Sequence, residues 1–221
     1  MRLITLIRMA GLLVTAGSAH QPHPKIPTNV KPRGTVVALE GPKTDGLLNG
    51  FGVVRYSSRE IFQGHFLNGV PDGFCKLNSN EGKLKMQGNY KYGALHGNGF
   101  IKNDLGTTYE GRFKKGKMTH GQIVFKQNKT YTGRCKKFKP HGKGHMVDPN
   151  GDNYNGWFKD GRFNGQGTLT FGNGTVKSGE FKLDDLNGFG KIQYINGRNY
   201  IGELSLTPNF GPVKWQREKN V

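Results

Sequence analysis

Glycine returns in register along this chain. A unit of about 23 residues restarts at Leu39, Phe62, Met86, Tyr109, Tyr131, Tyr154, Lys177 and Tyr200, and glycine stands two residues after each start: Gly41, Gly64, Gly88, Gly111, Gly133, Gly156, Gly179 and Gly202. Self-similarity at a fixed period marks an array of small units, none of which buries its apolar face alone. The unit from Phe62 runs one residue long and the unit from Tyr109 one short. With 35 glycines, roughly twice average usage, long helices are excluded and many short strands are expected.

The pattern inside the unit predicts a hairpin. Counting from each start, an apolar or aromatic residue follows at offset four (Phe66, Tyr90, Phe113, Cys135, Phe158, Phe181, Leu204), so start, glycine and ring alternate with polar residues at the period of a strand. A turn follows, often with glycine at offset seven (Gly46, Gly69, Gly93, Gly116, Gly161). The second strand opens on Gly-x-Gly, as in Gly97-Asn98-Gly99, Gly142-Lys143-Gly144, Gly165-Gln166-Gly167 and Gly188-Phe189-Gly190. Offset fifteen is apolar throughout (Val54, Leu77, Ile101, Val124, Met146, Leu169, Ile192, Trp215), which marks the buried face. Glycine at offsets two and thirteen makes room for rings of neighbouring strands.

The runs Tyr109-Glu-Gly111-Arg-Phe113-Lys-Lys-Gly116 and Tyr154-Asn-Gly156-Trp-Phe158-Lys-Asp-Gly161-Arg-Phe-Asn-Gly165-Gln-Gly167 resemble the MORN (membrane occupation and recognition nexus) repeat. The likeness extends from Leu39 to about Val213. It implies an all-β fold: an elongated, twisted antiparallel sheet of about eight consecutive hairpins in an open meander. It also implies scaffolding, often at membranes, by phospholipid binding in some members and protein contacts in others. Three positions depart from the pattern. Cys75 stands where the second glycine of Gly-x-Gly is expected, the Tyr109 unit loses that glycine at Gly121-Gln122-Ile123, and Lys177 replaces an aromatic start.

Three segments are expected: a leader and proline-rich linker over 1–38, the repeats over 39–213 and a tail over 214–221. Residues 1–39 carry Arg2, Arg8, Lys25, Lys31 and Arg33, no acidic residue, and an apolar stretch from Met9 to Ala19. That stretch is too short for a membrane span of roughly 20 apolar residues. It reads as an organellar, mitochondrial-type presequence or as a secretory signal cleaved after Ala19, and both stay open. A retained membrane-dipping anchor is a third reading. The sequons at Asn128 and Asn173 lean slightly to secretion, whereas two unpaired cysteines lean away from it.

No constellation for catalysis emerges. Strands in a meander lie about 4.8 Å apart, which separates Cys75 from Cys135 beyond disulfide reach and His96, His120 and His141 beyond one metal ion. Asp184-Asp185 reads as a pair of solvated turn residues. No Walker loop, Gly-x-Ser-x-Gly elbow or His-Glu-x-x-His occurs, so no catalytic residue, metal, cofactor or small-molecule substrate is expected.

Charge is the remaining signal. The chain carries 33 Lys and Arg against 15 Asp and Glu, a formal +18. Eleven of the basic residues, and no acidic one, fall between Gly111 and Val147. Offset five, expected to face outward, holds Lys91, Lys114, Lys136, Lys159 and Lys182. Arg112, Arg134 and Trp157 stand beside them at offset three, with Lys115, Lys117, Lys137 and Lys139 at the turns. Such a face suits an acidic protein surface in a larger assembly or an anionic phospholipid membrane. The expected function is therefore that of a non-enzymatic scaffold or assembly subunit docking through this basic face. The alternative is a nucleic-acid-contacting module of a ribonucleoprotein or virion.

Overall fold

A computed structural model describes residues 34–79, 85–204 and the backbone of 215–216. The leader through residue 33, and with it the targeting expectations, lies outside the described residues, as do most of the tail and the side chain of Trp215. The chain divides into two compact units, the first ending at Thr119 and the second beginning at His120.

Both units are all-β, and each is an antiparallel meander in which strand order follows chain order. The first unit contains β1 (Val36–Glu40), β4 (Gly50–Tyr56), β5 (Ile61–Leu67), β6 (Val70–Asn78), β7 (Lys85–Lys91), β8 (Ala94–Lys102) and β9 (Thr108–Lys114), with the small pair β2 (Lys43–Thr44) and β3 (Leu47–Leu48) set between β1 and β4. Strand β10 (Lys117–Val124) straddles the division. The second unit continues with β11 (Thr130–Lys136), β12 (Lys139–Val147), β13 (Asn153–Lys159), β14 (Arg162–Thr170), β15 (Val176–Lys182), β16 (Asp185–Gln193), β17 (Asn199–Leu204) and β18 (Trp215–Gln216). Among the described residues the sole helical piece is a 3-10 turn, Lys126–Asn128.

The expected hairpins form as β5·β6, β7·β8, β11·β12, β13·β14 and β15·β16. Each carries the same bulge: in β5·β6, Gly64 pairs with Cys75 and Phe66 with Pro71, so three residues of β6 face the single His65. A bulge re-aims the strand that carries it. It lets even offsets point inward on the first strand and odd offsets, nine, thirteen and fifteen, point inward on the second.

The core confirms the pattern and corrects it in places. Phe62, Phe66, Met86, Tyr90, Tyr131, Tyr154, Phe158 and Phe181 are buried, as are Val54, Leu77, Ile101 and Met146 at offset fifteen. In the Tyr109 unit the buried residue is Ile123, not Val124, and Ile123 pairs with Tyr131. The residue this unit lacks falls between Met118, still buried at offset nine, and Gly121, which moves everything after it forward by one. For the same reason Gly121 pairs with Gly133 as a second Gly-x-Gly glycine does elsewhere. The glycine this repeat lacks is the first, replaced by Thr119, whose Oγ1 donates to the Arg112 carbonyl at 3.1 Å.

The rings over the offset-thirteen glycines come from the neighbouring strand of the hairpin, as expected, and the same rings also cover the offset-two glycines of their own strand. Tyr131 folds back over Gly133 and Gly144, and its hydroxyl donates to the Arg134 carbonyl at 2.5 Å. Tyr154 covers Gly156 and Gly167, donating to the Trp157 carbonyl at 3.1 Å, and Tyr200 donates to the Glu203 carbonyl at 2.9 Å. In the units that start at Leu39, Met86 and Lys177, a leucine at offset nine does the covering instead: Leu48, Leu95 and Leu186. The Phe62 unit has proline there, and the Cys75 sulfur fills the space over Gly64. Hence Cys75 is a filler rather than a distortion.

Successive hairpins are also tied at their turns. The offset-seven N–H donates to the offset-nine carbonyl of the preceding repeat: Gly69 to Leu48, Gly93 to Pro71 and Gly116 to Leu95 in the first unit, Gly161 to Pro140 and Asp184 to Phe163 in the second, all at 2.8–3.1 Å. Within each unit this brings the turns to one edge.

Candidate functional site

Each predicted basic residue is exposed. In the first unit these are Lys91, Arg112, Lys114 and Lys115; in the second, Arg134, Lys136, Lys137, Lys159 and Lys182, together with Trp157 at 43% exposure. Lys136, Lys159 and Lys182 close alternate strands β11, β13 and β15 of one sheet, which spaces them by about 9.5 Å. Lys136 faces Lys139 and Lys159 faces Arg162 directly across their hairpins, whereas Lys182 faces Asp185. Like charges placed opposite each other weaken a sheet. The Lys136–Lys139 pair gives the fold nothing, while Arg162 is partly offset by Asp184 Oδ2 at 3.9 Å.

In each unit the turns also carry apolar groups. Leu67, Val70 and Tyr92 are exposed at turns of the first unit, the last at 76%, and Leu183 at a turn of the second. Lys137 and Phe138 both hold left-handed backbone, with φ of 52° and 60°, a conformation that costs a residue with a side chain roughly 1–2 kcal/mol. The tip Lys136-Lys137-Phe138-Lys139 is thus a basic turn kept at a cost in stability.

The outer face of the second unit is not uniformly basic. Moving across it, residues of offset three and of the middle of Gly-x-Gly run Arg134, Lys143, Trp157, Gln166, Glu180, Phe189 and Glu203, from cationic to acidic. Their registers are Lys143 to Trp157, Gln166 to Glu180 and Phe189 to Glu203. Beside this row runs another made only of glycine, Gly121, Gly133, Gly144, Gly156, Gly167, Gly179, Gly190 and Gly202, each paired with the next. Side chains rise on both sides of the bare strip, and between β12 and β17 they border an open trench of about 770 Å³. One wall is Lys143, Trp157, Gln166, Glu180 and Phe189; the other is Asn155, Thr168, Ser178, Lys191 and Ile201. The Lys143 ammonium lies 5.6 Å from the centre of the Trp157 ring, and Phe189 is 70% exposed. Of these residues the sequence reading singled out Trp157 alone. The missed signal is the middle residue of Gly-x-Gly, which always faces outward.

The other motifs stay apart from this surface. Cys75 and Cys135 are free thiols, Cys75 buried and Cys135 half-buried, and loss of solvent pushes both up to about 12. His141 Nδ1 accepts the Asp160 N–H at 3.5 Å across a turn. Asp184 Oδ1 accepts the Phe163 N–H at 2.7 Å, which makes Asp184 a cap on the preceding hairpin. No three His, Cys, Asp or Glu converge among the described residues, and no described helix is long and apolar enough to cross a membrane.

A search of curated proteins returns no match to this chain. Among solved structures it is similar to the SAS-4 (dCPAP) TCP domain in complex with a proline-rich motif of Ana2 (dSTIL) of Drosophila melanogaster, at 12% identity over 86% of this chain and 87% of that one. The TM-score is 0.29, too low to carry an argument. The MORN repeat family model matches residues 62–82, 87–102, 109–119, 139–153, 154–176 and 178–197. Repeats of this kind are in general scaffold and membrane-binding motifs, and proteins built from them are typically non-enzymatic. Six matches spread along this array of repeated hairpins make this chain a MORN repeat protein.

Proposed function

We propose that the chain is a non-enzymatic scaffold or assembly subunit that docks through its basic outer face and turn edge on an anionic surface, either an acidic protein within a larger complex or an anionic membrane. The observation that carries this reading is the set of lysines and arginines placed opposite one another at hairpin ends, Lys136 against Lys139 and Lys159 against Arg162. Charge that weakens the fold is accounted for by what it attracts. Exposed Leu183 of the same unit supplies apolar area at a turn, as an interface requires. The acid-free leader supports a mitochondrial membrane as the location, with the secretory route as the second reading. Residues 39–213 would then form the docking body, with 1–38 as leader and 214–221 as tail.

The test has two arms. Vesicle co-sedimentation compares anionic with zwitterionic lipid for the native chain and for Lys136→Gln/Lys159→Gln/Lys182→Gln. Native co-purification with mass spectrometry identifies protein partners of both. Loss of vesicle binding in the variant assigns the face to membranes, and loss of a partner with vesicle binding absent assigns it to protein. If the variant keeps every partner and every vesicle interaction, the basic face is not the docking surface.

A further inference from the structure

We propose that the trench on the outer face of β12–β17 binds single-stranded nucleic acid, with bases stacked on Trp157 and Phe189 and the phosphodiester backbone along the opposite wall. This site is distinct from the lysine ladder, although the ladder flanks it.

Three features favour such a ligand. The floor is the outer side of the backbone of four consecutive strands at Gly156, Gly167, Gly179 and Gly190, positions whose side-chain direction is toward the core, so flat rings between the walls meet peptide groups. The two walls differ in chemistry. Trp157 and Phe189 are exposed rings on β13 and β16 of one wall, about 14 Å apart by strand spacing. The facing wall carries Asn155, Thr168 and Ser178, whose amide and hydroxyls serve phosphate and sugar oxygens. Unstacked bases bind proteins on exposed aromatic rings inside positively charged grooves.

The third feature is the pair between the rings. Gln166 lies directly opposite Glu180, and a carboxylate there repels phosphate but accepts a hydrogen bond from the amino group of cytosine. A base edge therefore meets Glu180 while the backbone keeps to the other wall. The Lys143 ammonium, now over the Trp157 ring, is free to turn toward phosphate when a base takes the ring face. An extended peptide fits less well. The backbone groups of these central strands are already paired in the sheet, so a peptide lying across the face would gain no ladder of hydrogen bonds.

The test uses the full chain and fluorescein-labelled single strands of oligocytidylate and oligoadenylate, read by anisotropy. Trp157→Ala and Phe189→Ala remove exposed rings, and circular dichroism confirms that each variant folds. Each is expected to weaken binding by about 5- to 150-fold, the range for loss of one base stack. Glu180→Gln is expected to lower the preference for oligocytidylate over oligoadenylate. Lys136→Gln/Lys159→Gln/Lys182→Gln reduces the salt dependence of binding and leaves the preference between bases in place. The proposal is overturned if both ring variants bind as the native chain does, or if a duplex binds as tightly as a single strand. It is equally overturned if an acidic peptide occupies the trench, shown by its own affinity falling in Trp157→Ala and Phe189→Ala.

Discussion

Gly144 needs to be glycine because of a ring and not because of its backbone, and a double-mutant cycle separates the two. A Cβ at this position would lie 2.5 Å from the Tyr131 hydroxyl oxygen and 2.6 Å from the ring carbon that bears it, and the φ of Gly144 is one that any residue adopts. Gly144→Ala therefore displaces the Tyr131 ring. Overpacking costs about 1–3 kcal/mol, and loss of the hydrogen bond to the Arg134 carbonyl adds about 1 kcal/mol, so the expected destabilisation is about 3 kcal/mol. Tyr131→Ala alone costs about 4 kcal/mol through the cavity it leaves. In the Tyr131→Ala background the contacts with the ring are gone, and alanine for glycine in a strand is then expected to be close to neutral. The cycle should return a coupling of about 3 kcal/mol. Urea titration followed by circular dichroism measures all four proteins, with constant m-values as the check that the transition is comparable. Equal cost of Gly144→Ala in both backgrounds would refute the reasoning and point to a backbone requirement instead.

Cys75→Gly restores the glycine of the repeat yet is expected to destabilise by about 1–2 kcal/mol, because the sulfur fills space over Gly64 that no tyrosine or leucine covers; a gain in urea midpoint would contradict this. Lys139→Gln relieves the like-charge pair with Lys136 and should raise stability by a few tenths of a kcal/mol at low salt, an effect that vanishes at high salt if it is electrostatic. Burial pushes Cys75, Cys135, Tyr56 and Tyr154 up to about 12, and Tyr90 and Tyr131 further. Acids whose folded values are raised favour the fold below their ordinary values and lose that contribution as pH rises through the folded ones. The urea midpoint should therefore be insensitive to these groups near neutral pH and fall from about pH 9 upward; a midpoint unchanged to pH 11 would rule the mechanism out.

Much of the fold was legible because the glycine and apolar columns obey one rule per strand. Every start, every turn glycine and the burial of Val54, Leu77, Ile101 and Met146 follow from spacing alone. What spacing hid was the bulge. Two extra residues on each second strand leave no trace in composition, and their partial loss in the Tyr109 unit looks like a missing second glycine when the missing one is the first. Offset nine was hidden for another reason: Leu48, Leu95, Met118, Pro140 and Leu186 are buried and Pro71 and Phe163 half-buried, but they share no chemistry. At the site, the lysines could be read because charge at a strand end stays exposed. The trench could not, since it depends on which side of the bulge Lys143, Gln166 and Phe189 emerge.

The interchange of tyrosine, leucine and cysteine over the glycine row implies that selection on this array acts on an occupied volume rather than on any one column. A tyrosine at the start, a leucine nine residues later and a sulfur thirteen residues later are alternative tenants of one space. A repeat can therefore drift from one to another through any intermediate that keeps the space filled once. Repeats that look degenerate position by position can in this way be intact in three dimensions, and a profile scored column by column will rank them too low.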